Sequence, residues 1–162
     1  MDIFKQTIMI QVFSTEWEIT KMYVCEVVQR EAVIGLDWND FAKIARVSRP
    51  SFAVKVDDPC SWAQLTETAF DEVGKRIKGT LTDLIIVISL LKGHDILMEE
   101  AFEMSEKISV RSDEDVSYKW CLQQVEDMPG ERCITIYAFE KQRATADFQV
   151  FSAYLANRTE VQ

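Results

Sequence analysis

The tightest constraint on the fold is an apolar run at residues 84–91, Leu-Ile-Ile-Val-Ile-Ser-Leu-Leu, interrupted only by Ser89. It is rich in β-branched residues and shows no apolar–polar alternation, as expected for a central strand covered on both faces or deep in a sheet. A bilayer span needs about 20 apolar residues. The run is too short for one, and no transmembrane helix is expected.

The flanking segments supply the rest of an α/β fold. Ser14 and Thr15 precede Glu18 at capping-box spacing, with Ile19, Met22, Tyr23 and Val27 following at helical intervals, so an amphipathic helix is predicted over 15–31, ended by Gly35. A second helix is predicted over 37–46, with Asp37 as N-cap, Phe41, Ile44 and Ala45 inside, and Pro50 as its stop. Phe52, Val54 and Val56 alternate with Ala53 and Lys55, the pattern of a strand with one face buried. Asp58 followed by Pro59 reads as the start of a helix with the stripe Trp62, Leu65, Ala69, Val73 and Ile77, ending near Gly79.

After a turn at 92–94, Asp95 is expected to cap a helix carrying Ile96, Leu97, Ala101, Met104 and Ile108. Val116, Tyr118, Trp120 and Leu122 alternate as a strand, Asp-Met-Pro-Gly at 127–130 is a turn signal, and 133–139 returns as a strand. That order describes an α+β two-layer sandwich: a mixed sheet of about four strands, crossover helices packed on it, and a terminal hairpin. Residues 1–14 read as a strand or an extended arm, 15–139 as the core, and 140–162 as a tail in which Phe148, Phe151 and Leu155 are spaced for a short helix. One domain is expected, because 162 residues of which 48% are apolar can bury a core without staples.

Composition narrows the partners. With 27 acidic residues against 18 basic ones, for a net charge of −9, the chain is a poor ligand for phosphate backbones, which are bound mainly by clustered Lys and Arg. The stretch 1–13 has Asp2 early, Lys5 as its only cation and no small-residue cleavage site, so no signal peptide is read and a cytoplasmic location is expected. Cys25, Cys60, Cys121 and Cys133 are scattered without a C-x-x-C pair and are expected as reduced core thiols.

The chemistry of common active sites is missing from the sequence. The five glycines are isolated, so no glycine-rich loop can cradle a phosphate. A single histidine, His94, excludes His-pair metal sites and leaves any triad dependent on a turn residue. Neither G-x-S-x-G nor H-E-x-x-H occurs. Glu99, Glu100, Glu103 and Glu106, and the loop acids Asp113, Glu114 and Asp115 beside Arg111, read as solvated surface. No catalytic residue, metal or cofactor is therefore expected. One constellation stands out: Gly35-Leu36-Asp37-Trp38-Asn39-Asp40 sets two carboxylates three residues apart at a helix mouth. They can share a water or a cation, or act simply as N-cap and first-turn acid.

Residues 28–45 around that constellation resemble the end of the central helix, the synergy loop and the following helix of FtsZ, the bacterial tubulin homologue. Residues 84–89 and 118–138 are similar to that family's next strand and closing hairpin, with Asp127 and Met128 in the turn, and the likeness extends over about 15–139. The resemblance implies the family's C-terminal domain, which in FtsZ follows a GTP-binding half with a glycine-rich phosphate loop; these residues hold no such half. In the family the synergy loop projects acids onto the nucleotide of the neighbouring subunit, and Asp37 and Asp40 match those two acids. Gly35 stands where the family usually has asparagine, and Arg30-Glu31-Ala32 replaces a frequent Arg-Pro-Gly stretch. The tail after Lys141 does not match the peptide by which FtsZ recruits membrane anchors.

The expectation is thus a non-enzymatic domain that binds or modulates a tubulin- or FtsZ-like assembly, as in cell division. Gly35, Leu36, Asp37, Trp38 and Asp40 would form its docking edge, and the partner would be a filament subunit or a second copy of the chain. The alternative is a homo-oligomer with a small-molecule site between subunits, its carboxylates recognising a cation or amine.

Overall fold

A computed structural model describes residues 8–57, 61–111, 113–141 and 154–155. The elements run β1 (Met9–Phe13), α1 (Glu16–Tyr23), β2 (Ala32–Ile34), α2 (Trp38–Ala45), β3 (Arg49–Asp57), α3 (Trp62–Arg76), β4 (Leu81–Leu91), α4 (Met98–Arg111), β5 (Ser117–Val125) and β6 (Arg132–Glu140). Four α-helices pack on one open, mixed, six-stranded sheet of order β1-β3-β6-β4-β5-β2. No helix among the described residues is long and apolar enough to cross a membrane.

The apolar run occupies β4, which pairs parallel with β5 and antiparallel with β6. Its lack of alternation follows from two separate cores. Leu84, Ile86, Ile88 and Leu90 join α3 and Met104 of α4 on one face, while Ile85 and Val87 join α1 and α2 on the other. The same double cover corrects the reading of β3 as a strand with one buried face: Phe52, Val54 and Val56 sit in the α3 core, yet Ala53 is also fully buried beneath α1 and α2.

Local signals place most helix starts. Thr15 caps α1 by accepting from the Glu18 N–H at 3.3 Å. The helix does not continue as a regular α-helix to residue 31; beyond Tyr23 it widens into a π-helical turn, Val24–Val28. Ser61 caps α3, accepting from the Gln64 N–H at 3.2 Å, where Asp58 was expected; Asp58 and Pro59 lie outside the described residues. Helix α4 starts at Met98, not at Asp95, and Leu97 is exposed just before it. Pro50 does not stop α2, which ends at Ala45; it lies buried near the start of β3, at a register shift where a missing N–H is tolerated.

The largest departure is topological. β5 and β6 do not form a hairpin: β4 lies between them, and the turn at 127–130 carries the chain over its end. The Leu91 N–H donates to the Glu131 carbonyl at 3.0 Å and the Lys92 N–H to the Val125 carbonyl at 2.8 Å, closing that end. Two short strands, β1 and β2, extend the expected sheet at its edges. In the tail only Tyr154 and Leu155 are described, Leu155 packing against the α1/α2 core; Phe148 and Phe151 lie outside. Cys121 and Cys133 are buried as expected, but Cys25 is exposed, and Cys60 lies outside the described residues.

Candidate functional site

The segment singled out in the sequence forms a corner between β2 and α2. Asp37 and Asp40 make a reciprocal capping box: the Asp40 N–H donates to Asp37 Oδ1 at 3.1 Å, and the Asp37 N–H donates to Asp40 Oδ2 at 2.8 Å. Lys119 on β5 approaches Asp40 Oδ1 to 3.3 Å. Burial pushes the Asp40 carboxyl up, but the Asp37 N–H and the Lys119 ammonium outweigh it and hold the group below its ordinary range. Both Asp40 oxygens are therefore engaged within the chain, whereas Asp37 stays exposed.

Trp38 turns inward. It is 5% exposed and stacks on Phe41 at 5.6 Å between ring centroids, within a cluster that also holds Tyr23, Tyr137 and Phe139. Leu36 is half-buried against the same core. Gly35, Asp37 and Asn39 are left as the exposed part of the corner.

A second site, unread in the sequence, lies beneath the π-helical turn. Cross-strand register lines up Asp57, Cys133, Ser89 and Gln123 in one row on the α1-covered face, followed by Lys55 and Thr135 in the next. Together with Glu26, Arg30 and Tyr137 these residues enclose a cavity of about 70 Å³. Lys55 Nζ pairs with Glu26 Oε1 at 2.6 Å, and Gln123 Nε2 donates to the Glu26 carbonyl at 2.9 Å and to Ser89 Oγ at 3.1 Å. Asp57 Oδ1, Gln123 Oε1 and Tyr137 Oη are buried without a hydrogen-bond partner. Leaving such an atom unpaired costs about 1–3 kcal/mol. Burial pushes the Asp57 carboxyl above its ordinary range, against weaker pulls from the Cys133 thiol and the Lys55 charge.

On the opposite face α4 leaves an apolar groove of about 210 Å³, lined by Ile96, Ile108, Trp120 and Leu122. Trp120, expected as one of the alternating residues of a strand, lies on β5 and is 48% exposed there, and Met98 and Phe102 are exposed on α4. His94 is exposed in its turn, 3.9 Å from a Glu131 carboxylate oxygen. Of the helix acids, Glu99, Glu103 and Glu106 are exposed, while Glu100 lies 3.7 Å from Arg132. Arg111 pairs with Glu67 and Asp71 of α3 and not with the loop acids. No cluster of His, Cys, Asp or Glu arranged to hold a metal occurs among the described residues.

Compared with known protein families and with curated proteins, the chain matches none. The polar cavity had one visible trace in the sequence, the single Ser89 inside an otherwise apolar strand. Asp57, Gln123 and Cys133 are dispersed along the chain and meet only through strand register.

Proposed function

We propose that this chain is a non-enzymatic protein-interaction domain that docks on a tubulin- or FtsZ-like assembly through the corner 35–40. The observation that carries the reading is the exposed Asp37, fixed by its capping box at the mouth of α2, in the position that matches the first synergy-loop acid. The order from α2 to β6, helix, strand, helix, strand, helix, strand, strand, agrees with the order that the resemblance implies, while residues 118–138 do not close as the hairpin it also implies.

The geometry narrows the role of the pair. Asp40 is occupied by Lys119 and the Asp37 N–H, so the corner presents one acid for contact and is not arranged to orient water with two. Docking without catalysis fits that arrangement. The test is sedimentation of an FtsZ-type protein with GTP in the presence of this chain. Co-pelleting or altered polymer yield with the wild type, lost in Asp37→Asn, supports the reading; a result that Asp37→Asn leaves unchanged removes the corner from the interface. Asparagine is chosen because it caps a helix about as well as aspartate.

Self-association is favoured by a separate observation, the apolar groove beside α4 with Trp120 exposed in its wall, together with Met98 and Phe102 exposed on α4 itself. Sedimentation equilibrium of the wild type against Trp120→Ser decides it: a concentration-dependent dimer that the substitution abolishes supports a groove interface, and a monomer at all concentrations ends it.

A further inference from the structure

The cavity beneath the π-helical turn holds more oxygens than the protein itself satisfies. Two of its nitrogen donors are engaged inside the protein, Lys55 on Glu26 and Gln123 on the Glu26 carbonyl and Ser89, and Arg30 lies 3.9 Å from Glu26. Three of its oxygens have no such partner. Asp57 Oδ1, Gln123 Oε1 and Tyr137 Oη have no partner, although these residues are only 6%, 1% and 1% exposed. The large majority of buried polar groups in folded proteins are hydrogen-bonded; the Tyr137 hydroxyl can donate as well as accept, but the Asp57 carboxylate and Gln123 amide oxygens only accept, and they call for a guest that brings N–H donors.

The charges point the same way. Glu26, Asp57 and Asp127 line the cavity against Arg30 and Lys55, three carboxylates to two cations, an excess of one negative charge. Glu26 already holds Lys55 at 2.6 Å and lies 3.9 Å from Arg30, so Asp57 is the carboxylate with an oxygen to offer. About 70 Å³ admits a small head group, and an open cleft of about 410 Å³ shares the walls Arg30 and Val125, room for a chain attached to that head.

We propose that this cavity binds an organic ammonium, a primary amine head of roughly methylammonium size, with Asp57 as its counter-ion and Gln123 Oε1 and Tyr137 Oη as its further acceptors. None of these groups belongs to the corner 35–40, and the proposal stands independently of the docking reading.

Thermal unfolding in methylammonium chloride against potassium chloride at equal ionic strength tests it. The expected result is a rise in Tm of about 3 to 6 °C with the amine at about ten times its Kd, and none with potassium. Asp57→Asn keeps the side-chain shape, removes the charge and is expected to abolish the rise; Tyr137→Phe, lacking one acceptor, is expected to reduce it. Equal responses to both salts, or no response to the amine, mean that water alone fills the cavity and overturn the proposal. So does a rise that Asp57→Asn retains in full. Should Asp57→Asn fail to fold, Tyr137→Phe decides, and an undiminished response in it has the same overturning force.

Discussion

The Tyr23 hydroxyl donates to the Asp37 main-chain carbonyl at 2.7 Å, tying the last turn of α1 to the residue that caps α2. The bond spans 14 residues of sequence and crosses from the aromatic core to the exposed corner. It is the direct link between the packing of Tyr23 against Phe41 and Tyr137 and the position of the Asp37 carboxylate. Tyr23→Phe keeps the ring and removes the bond. A loss of about 1 kcal/mol is expected, read in urea as a lower midpoint with unchanged m. An unchanged midpoint would mean that water replaces the hydroxyl at no cost.

The capping box separates two roles of Asp37. Asp37→Ala removes the acceptor for the Asp40 N–H and is expected to cost about 1 kcal/mol. Asp37→Asn retains an acceptor and is expected to cost little. Equal losses in the two variants, measured by chemical denaturation, would show that the charge of Asp37 matters to the fold beyond its cap.

Phe41 is the hub of the α1/α2 core, with ring contacts to Tyr23, Trp38, Tyr137 and Phe139 at centroid distances of 4.6 to 6.3 Å. Phe41→Ala is expected to cost about 3–5 kcal/mol, because four rings cannot collapse into the space of one. A loss below about 2 kcal/mol would place it under the usual range for such truncations and imply that the cluster repacks.

Two aspartates make opposite contributions to stability against pH. The folded-state pKa of Asp57 is raised by burial, so its contribution is fully present below the unfolded value of about 3.9 and is lost as pH rises through the folded value. Asp57→Asn is expected to gain on the wild type as pH rises above about 4, until the folded-state group has ionised. The folded-state pKa of Asp40 is lowered, so its contribution is present above about 3.9 and is lost as pH falls through the folded value. Asp40→Asn is expected to be less stable than the wild type at neutral pH and to draw level in acid. Urea midpoints across that range check both signs; parallel curves for wild type and variant would refute the corresponding assignment.

Thiol reactivity follows burial. Cys133 is pushed up to about 12 by burial and by the Asp57 charge, and burial raises Cys121 as well, whereas Cys25 is exposed. In a Cys60→Ser background, a neutral aromatic disulfide reagent is expected to label one thiol rapidly in the native state and all three only after unfolding. Fast native labelling of more than one would show that β5 or β6 opens readily.

The sequence by itself determined what a few neighbouring residues can settle. Thr15 with Glu18 and Asp37 with Asp40 carry their caps within one turn of helix, and the run through 84–91 announces a strand covered on both faces because every position in it is apolar except one. Helices α1 to α4 and strands β3 to β6 were legible in order for that reason. The corner 35–40 was legible as a place, but not the inward turn of Trp38 or the grip of Lys119 on Asp40, which join residues up to 79 positions apart. Only the tertiary structure decided that β6 inserts between β3 and β4 in place of pairing with β5. Strand order is set by which faces and edges the whole chain can bury, and a turn signal such as that at 127–130 serves a hairpin and a crossing equally well. The polar cavity is the sharpest case. Asp57, Cys133, Ser89 and Gln123 are ordinary residues on four strands, and a slip of one position in any register would send one of them to the other face.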